Sequence, residues 1–354
     1  MKNDRYYYII MNREEREIYK TIYNGLSAYS LNIVISLDVT PETVQETYLK
    51  VLYDNPHFYY INQTVIKMAG YTGYYILMPE YIYNISEINA INGDIQKIIN
   101  KVTEKAQTFI NDEFRLEKYL HDSIAKSVAY DYDSLKRNDC FNAHSIVGVF
   151  LDNKAVCEGI AKAFKLLCNQ FGMKCIVVLG KANHEGDFSK DDYHAWNLVK
   201  IGNESYHVDV TWDNMYHEDI QYISYDYFNL TTKEIMLDHQ VLREVPLPEC
   251  IDSRLNYFYS TNSFVSTYQE LFEFIVNRFN ENKIIFRTVT DKGEFISPEE
   301  LREKTLSALL HTSHMNKNTR PFSVIFNDKH NTVNIVFRKE QPKKIDITKH
   351  NKPH

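Results

Sequence analysis

No stretch of the 354-residue chain supplies the ~18 consecutive apolar residues that span a bilayer, and no two of its cysteines form a C-x-x-C pair. The first absence argues against a membrane helix and the second against a cysteine-rich zinc site. Cys140, Cys157, Cys168, Cys175 and Cys250 make an odd set that fits no disulfide framework, so most are expected to be reduced thiols. Basic charge is short as well: 40 Lys and Arg against 47 Asp and Glu leave a net charge of -7. A nucleic-acid binder needs a clustered basic face to displace counterions, and no such partner is expected. There is no internal repeat and no low-complexity tract. The first residues lead into Arg13-Glu14-Glu15-Arg16 instead of an apolar signal core, so the chain as written is expected in the cytoplasm.

What is present suits a soluble globular protein: 44% hydrophobic and 25% charged residues, with 27 Tyr and 19 Phe making the chain unusually aromatic. At ~150 residues per domain the length predicts two or three domains. Apolar spacing through Ile18, Ile22 and Leu26 predicts a helix, Leu31 to Val39 a strand, and Thr40-Pro41-Glu42 a capped helix start that runs to Asp54-Asn55-Pro56. Tyrosine-rich runs from Phe58 to Met68 and Tyr74 to Met78, split by Gly70 and Gly73, predict a hairpin. Residues 93–130 read as helical with a break near Asn111-Asp112, followed by a helical stretch around 145–151. Little periodicity and two prolines mark 238–254 as a linker. Beyond it, Ser266-x-x-Gln269 and Ser297-x-x-Glu300 open helices, with strands over 283–289, 322–326 and 333–337. The expected division is an N-terminal mixed α/β module (1–110), a catalytic domain (111–240), a linker (241–256), a small α/β module (257–340) and a disordered tail (341–354).

The chemistry lies in the central block. Cys157 precedes a helical run through Ile160, Phe164, Leu167 and Phe171 that ends at Gly172, so its thiol sits at a helix N-terminus. There the helix dipole favours a thiolate and free N–H groups favour an oxyanion, and Gly159 leaves room beside the sulfur. Strands over 193–201 and 205–212, joined at Gly202-Asn203 by a two-residue turn, pair Ile201 with Glu204 and make Asp209 the diagonal neighbour of His194. A thiol, an imidazole and an orienting carboxylate meet the needs of nucleophilic catalysis.

Three segments then resemble one family: Ala155-Val156-Cys157-Glu158-Gly159-Ile160-Ala161, His194-Ala195-Trp196-Asn197 and Tyr206-His207-Val208-Asp209-Val210-Thr211-Trp212-Asp213. Together with Tyr130-Asp131 upstream and Tyr227-Phe228-Asn229 downstream, they look like the core of the transglutaminase-like superfamily, in the form common among bacterial proteins, over residues 115–240. The resemblance implies an α+β, papain-like core, a Cys-bearing helix packed on an antiparallel sheet, with Cys157, His194 and Asp209 as the catalytic triad. It departs from many relatives at Ile160, where they carry tyrosine. The implied reaction is cysteine-dependent acyl transfer or amide hydrolysis on a protein or peptide through a thioester, and no cofactor is expected. The rival is a catalytically silent fold that serves as a binding or scaffold module.

Other residues compete for roles. Trp196 and Trp212 either wall the thiol from water or fill the core. His144 and Asn142 are candidates for a second oxyanion donor, against a capping role, and His207 is a rival base. A metal site from Cys157, His184 and His194 lacks zinc spacing.

Overall fold

Side-chain caps start the first long helices of the computed structural model, which describes residues 4–36, 39–63, 65–137, 140–189, 193–217, 220–242, 246–288, 297–316 and 320–338. After a short helix α1 (Tyr6–Ile10), Asn12 and Glu15 form a reciprocal capping box that opens α2 (Arg13–Ser27), whose Ile18, Ile22 and Leu26 are buried. Strand β1 (Ile33–Ile35) pairs with Leu77, Ile76 and Tyr75 and starts two residues later than the 31–39 expected, of which residues 37 and 38 lie outside the described residues. Thr40 caps α3 (Pro41–Asp54), which ends before Asn55-Pro56 as the spacing predicts. The hairpin is β2 (Met68–Tyr71) and β3 (Tyr74–Leu77), and the sheet order is β1-β3-β2. Its first strand starts later than expected because Phe58, Tyr59 and Tyr60 are spent on a buried aromatic cluster with Tyr23 and Tyr29.

Helix α4 (Ile85–Ala106) opens on an Asn84–Glu87 capping box, and after the expected break Asp112 caps α5 (Glu113–Ala125). The chain then leaves the helix sooner than expected: β4 (Ala129–Tyr130) pairs in parallel with β5 (Lys154–Ala155). Residues 148–152 form a wide π turn where regular helix was expected. Helix α6 (Cys157–Gln170) follows, then β6 (Lys174–Ala182), β7 (Tyr193–Ile201), β8 (Glu204–Val208), a one-turn α7 (Val210–Asp213), the hairpin β9 (Asn214–His217) and β10 (Ile220–Ile223), β11 (Phe228–Leu230), a one-turn α8 (Thr232–Ile235) and β12 (His239–Val241).

Five of these strands form an antiparallel sheet of order β11-β8-β7-β6-β12, and α6 packs on β6 and β7. Asn197 Nδ2 ties sheet to helix by donating to Ala161 O at 3.0 Å. This is the α+β arrangement the sequence predicts, except that β12 comes from the stretch read as linker. Nearly every residue of α6 is buried, including two lysines. Lys162 donates to Glu158 at 2.6 Å and to Gln63, and Lys165 donates to the Asp4 carbonyl at 2.8 Å, so each buried cation is satisfied.

The chain divides into two compact units, Met1–Tyr257 and Phe258–His354. A one-turn helix α9 (Tyr257–Ser260) stands at the junction. In the second unit β13 (Phe264–Val265), α10 (Tyr268–Arg278), β14 (Lys283–Thr288), α11 (Pro298–Met315), β15 (Phe322–Asn327) and β16 (Thr332–Phe337) give a sheet of order β13-β14-β16-β15 over a core of Ile275, Phe279, Phe286, Leu309 and Ile335. Helix α10 is capped by Thr267 and not by Ser266, one residue later than expected. Ser297 does cap α11 through the Glu300 N–H at 3.2 Å. Ser297→Ala is expected to cost about 1 kcal/mol of the second unit's stability, read from its urea unfolding midpoint. The tail expected over 341–354 lies outside the described residues.

One buried ion pair makes a pH prediction. His121 Nε2 lies 3.1 Å from Asp213 Oδ2 and Nδ1 3.2 Å from Asp122 Oδ1. Burial disfavours its charge, but the hydrogen bonds and charges of the two carboxylates outweigh that and raise its pKa to about 9. A raised folded-state value means stability present below ~6.5 and lost as pH climbs through 9. The first unit's denaturation midpoint should therefore fall across that window, and His121→Gln should flatten the fall. Among the described residues no helix is long and apolar enough to cross a membrane.

Candidate active site

Cys157 is the first residue of α6, preceded by Val156, which supplies no side-chain cap. Val156 N donates to Ala143 O at 3.0 Å, and β5 lies beside β4, so the start of the helix is pinned from two sides. The sequence reading of Gly159 needs correcting. A Cβ there would stand 2.4 Å from Ala143 O and 2.9 Å from Ser145 O, so the glycine admits a crossing backbone and makes no space at the sulfur. Cys157 itself is 8% exposed.

The β7–β8 turn has the two-residue register expected, Ile201 opposite Glu204, with Gly202 at φ +58°. Pairing stops at Asn197 opposite Val208, earlier than the strand to 212 that the spacing suggested. Asp209 leaves the ladder to cap α7: Oδ1 accepts from the N–H groups of Thr211 at 2.9 Å and Trp212 at 3.1 Å. That leaves Oδ2 to face His194, whose Nε2 lies 2.6 Å away. With Nε2 on Asp209, Nδ1 is the imidazole nitrogen left for Cys157. Burial would push the pKa of His194 down, but the charges of Asp209 and Cys157 and a hydrogen bond to each raise it to about 10. Asp209 is held well below the usual carboxylate range against the opposing effect of its burial, by the charge and hydrogen bond of His194 and by His239.

The two tryptophans wall this imidazole. Trp196, fully buried, stacks on it at 6.2 Å between centroids, and Trp212 leans on it at 5.6 Å. His207 does not join them: Nδ1 accepts from Trp196 Nε1 at 3.1 Å, Nε2 faces Thr232 Oγ1 at 3.3 Å, and burial pushes its pKa down to about 3. His144 Nδ1 is engaged with Glu158 Oε2 at 3.1 Å. Asn142 accepts from the Tyr83 hydroxyl and donates to Asp152 at 3.0 Å. His184 stacks on Trp212 at 4.0 Å.

Two features were not assigned roles in the sequence. The first is Tyr130, laid opposite Ala155 by the β4–β5 pairing. Its hydroxyl hydrogen-bonds the Cys157 side chain and accepts from the Cys157 N–H; burial and the neighbouring sulfur push its pKa up. Tyr130-Asp131 already stood out as a motif, without a role for the hydroxyl. The second is a buried chain behind Asp209. His239 Nε2 lies 3.1 Å from Asp209 Oδ2, His239 Nδ1 lies 2.7 Å from Asp238 Oδ1, and the Tyr227 hydroxyl donates to Asp238 Oδ2 at 2.9 Å. An Asp-His pair in a stretch bare of periodicity was its only sequence signal.

Among the described residues, His194, Asp209 and His239 are the group whose ligand atoms lie close enough for a metal ion, all within 4.8 Å. Two ligands on a tetrahedral ion with ~2.0 Å bonds stand ~3.3 Å apart. The 2.6 Å between His194 and Asp209 is a hydrogen-bond distance instead.

Residues 96–226 match the family model of the transglutaminase-like superfamily, a stretch that holds Cys157, His194 and Asp209 and stops short of Tyr227, Asp238 and His239. Among solved structures, the crystal structure of a TGase is 15% identical over 53% of this chain and 52% of that one, with a TM-score of 0.32. The crystal structure of menin, described as revealing the binding site for Mixed Lineage Leukemia (MLL) protein, is 14% identical over 66% of this chain and 44% of that one, with a TM-score of 0.25. The chain thus spans about half the length of these solved proteins. No curated protein matches it.

Proposed function

Because residues 96–226 carry a transglutaminase-like domain, of a superfamily that is commonly enzymatic, we propose that the chain is a cysteine acyltransferase or amidohydrolase acting on protein or peptide amides. The observation that carries this reading is a single imidazole held by Asp209 on one nitrogen and turned to Cys157, at a helix N-terminus, on the other. The Cys157 sulfur adds to an amide carbonyl. The resulting oxyanion takes hydrogen bonds from the Cys157 N–H and the Tyr130 hydroxyl, which lie beside the sulfur and are bonded to each other before substrate binds. His194 protonates the nitrogen as the C–N bond breaks, the amine leaves, and an acyl thioester remains on Cys157. Water returns the free acid; a primary amine returns a new amide. In either case His194 takes the proton of the incoming nucleophile and keeps it as the Cys157 sulfur leaves, which restores the starting pair.

The test offers a glutamine-rich protein with a dansylated primary amine, and the same protein in ¹⁸O-labelled water. Labelled amide, labelled acid or cleaved peptide is expected from the intact chain and not from Cys157→Ala. Equal product from Cys157→Ala would overturn the reading.

A second reading, a silent or latent site, is favoured by one observation: Tyr130 covers the thiol, which is 8% exposed. Tyr130→Phe separates the two. As an oxyanion donor its loss lowers acyl transfer; as a cap its loss raises it.

A further inference from the structure

Resting on the reading of Cys157, His194 and Asp209 as catalytic, we propose that His239 is a positioning residue, clamped by Asp238 and Tyr227, that fixes the Asp209 carboxylate against His194. Asp209 has no freedom left. Oδ1 takes two backbone N–H groups and Oδ2 takes one nitrogen from each imidazole, which uses the four lone-pair sites of a carboxylate. His239 is held as tightly: each ring nitrogen faces a carboxylate oxygen, at 3.1 Å and 2.7 Å. Each ring nitrogen has its own carboxylate oxygen, so the ring cannot turn without losing one of the two contacts. Tyr227 locks the far end, and the Asn183 N–H binds the Asp238 carbonyl at 2.9 Å. The ring is walled by Trp196 at 5.0 Å and Trp212 at 4.5 Å, so this hydrogen-bonded network sits out of water, where its interactions are strongest.

The location also argues for function over stability alone. A buried carboxylate needs a partner, but His194 already provides one to Asp209; the second imidazole comes from an edge strand whose pairing to β6 sets His239 opposite Ala182. Replacing such a buried network with apolar groups is often neutral for folding, so its members are best explained by the orientation they impose. Other titratable groups facing the trio are Cys157 and Tyr130 from the thiol side, His207 across Trp196 and His184 over Trp212.

The test is site-resolved alkylation of Cys157 by iodoacetamide from pH 5 to 9.5 in the full chain, which needs no substrate. His239→Gln is expected to slow the reaction at pH 6.5 about fivefold, a fraction of the ~100-fold that a 1 Å misplacement costs, while the rate at pH 9.5, where a thiol ionises unaided, stays near that of the parent. Asp238→Asn should shift the profile the same way by less. If His239→Gln does not fold, as judged by circular dichroism, Tyr227→Phe carries the test, since it removes one oxygen from the far end of the chain and should move the profile in the same direction. Folded His239→Gln, or failing that folded Tyr227→Phe, with the parent's pH profile would overturn the proposal. A parent chain whose Cys157 shows no enhanced reactivity at pH 6.5 would instead sink the reading of the triad on which it rests.

Discussion

His194→Ala is expected to slow alkylation of Cys157 at pH 6.5 by about 10- to 100-fold and to leave it little changed at pH 9.5. An ordinary thiol, with a pKa near 8.5, is only about 1% ionised at pH 6.5. An imidazolium beside a sulfur favours attack through the thiolate, although a stabilised thiolate is a weaker nucleophile, which trims the factor. The geometry supplies that imidazolium: Asp209 and Cys157 raise the pKa of His194 to about 10, so it stays charged across the neutral range. The comparison is clean because Asp209, fully buried, keeps its bonds to His239 and to two backbone N–H groups when His194 is gone. The variant should therefore fold, and its melting curve should show this. A drop in rate equal at pH 6.5 and 9.5 would point to lost access and not to a lost ion pair.

Gly159→Ala should damage the first unit severely for a single added methyl. The added Cβ would meet three backbone atoms, Ala143 O at 2.4 Å, Ser145 O at 2.9 Å and Ser145 N at 3.2 Å, none of which can swing away like a side-chain tip. The helix start and the 143–145 segment must part, at a cost of about 3 kcal/mol, or roughly 6–12 °C in melting temperature for a unit of this size. Cys157 moves with the helix, so its reactivity at pH 6.5 should fall as well. Gly93→Ala is the control: it lies inside α4 with nothing within 4 Å of its Cβ, and the better helix former should add about 0.5–1 kcal/mol. Equal and small effects at the two glycines, measured by urea denaturation, would contradict the close backbone crossing at the start of α6.

The sequence carries the local rules well and the non-local ones only where a short turn links the partners. Thr40-Pro41, Asp112 and Ser297 start helices because a side-chain oxygen and a backbone N–H three residues on are neighbours in any context. His194 and Asp209 were paired from a two-residue turn, and the register held, yet the backbone between them differs: β8 ends at Val208 and Asp209 turns into a cap, a choice strand alternation conceals. The Thr267 cap was missed for a related reason, since Ser266 and Thr267 both offer an oxygen and the pattern favours neither. Asp238 and His239 were not legible at all. Their place depends on β12 pairing with β6, a contact far along the chain, in a stretch whose prolines and weak periodicity suggested no strand. Tyr130 was visible as a motif, but that its hydroxyl reaches the Cys157 N–H follows only from the pairing of β4 with β5.

The most direct measurement is a burst experiment with p-nitrophenyl acetate at pH 6.5, followed by mass spectrometry of the quenched protein. If Cys157 accepts acyl groups as proposed, close to one equivalent of p-nitrophenolate is released in the first phase, the acetyl group is found on Cys157, and hydroxylamine removes it. Release without a burst, with acetyl groups on surface lysines or on Cys140 and none on Cys157, would contradict the claim that this thiol is the nucleophile.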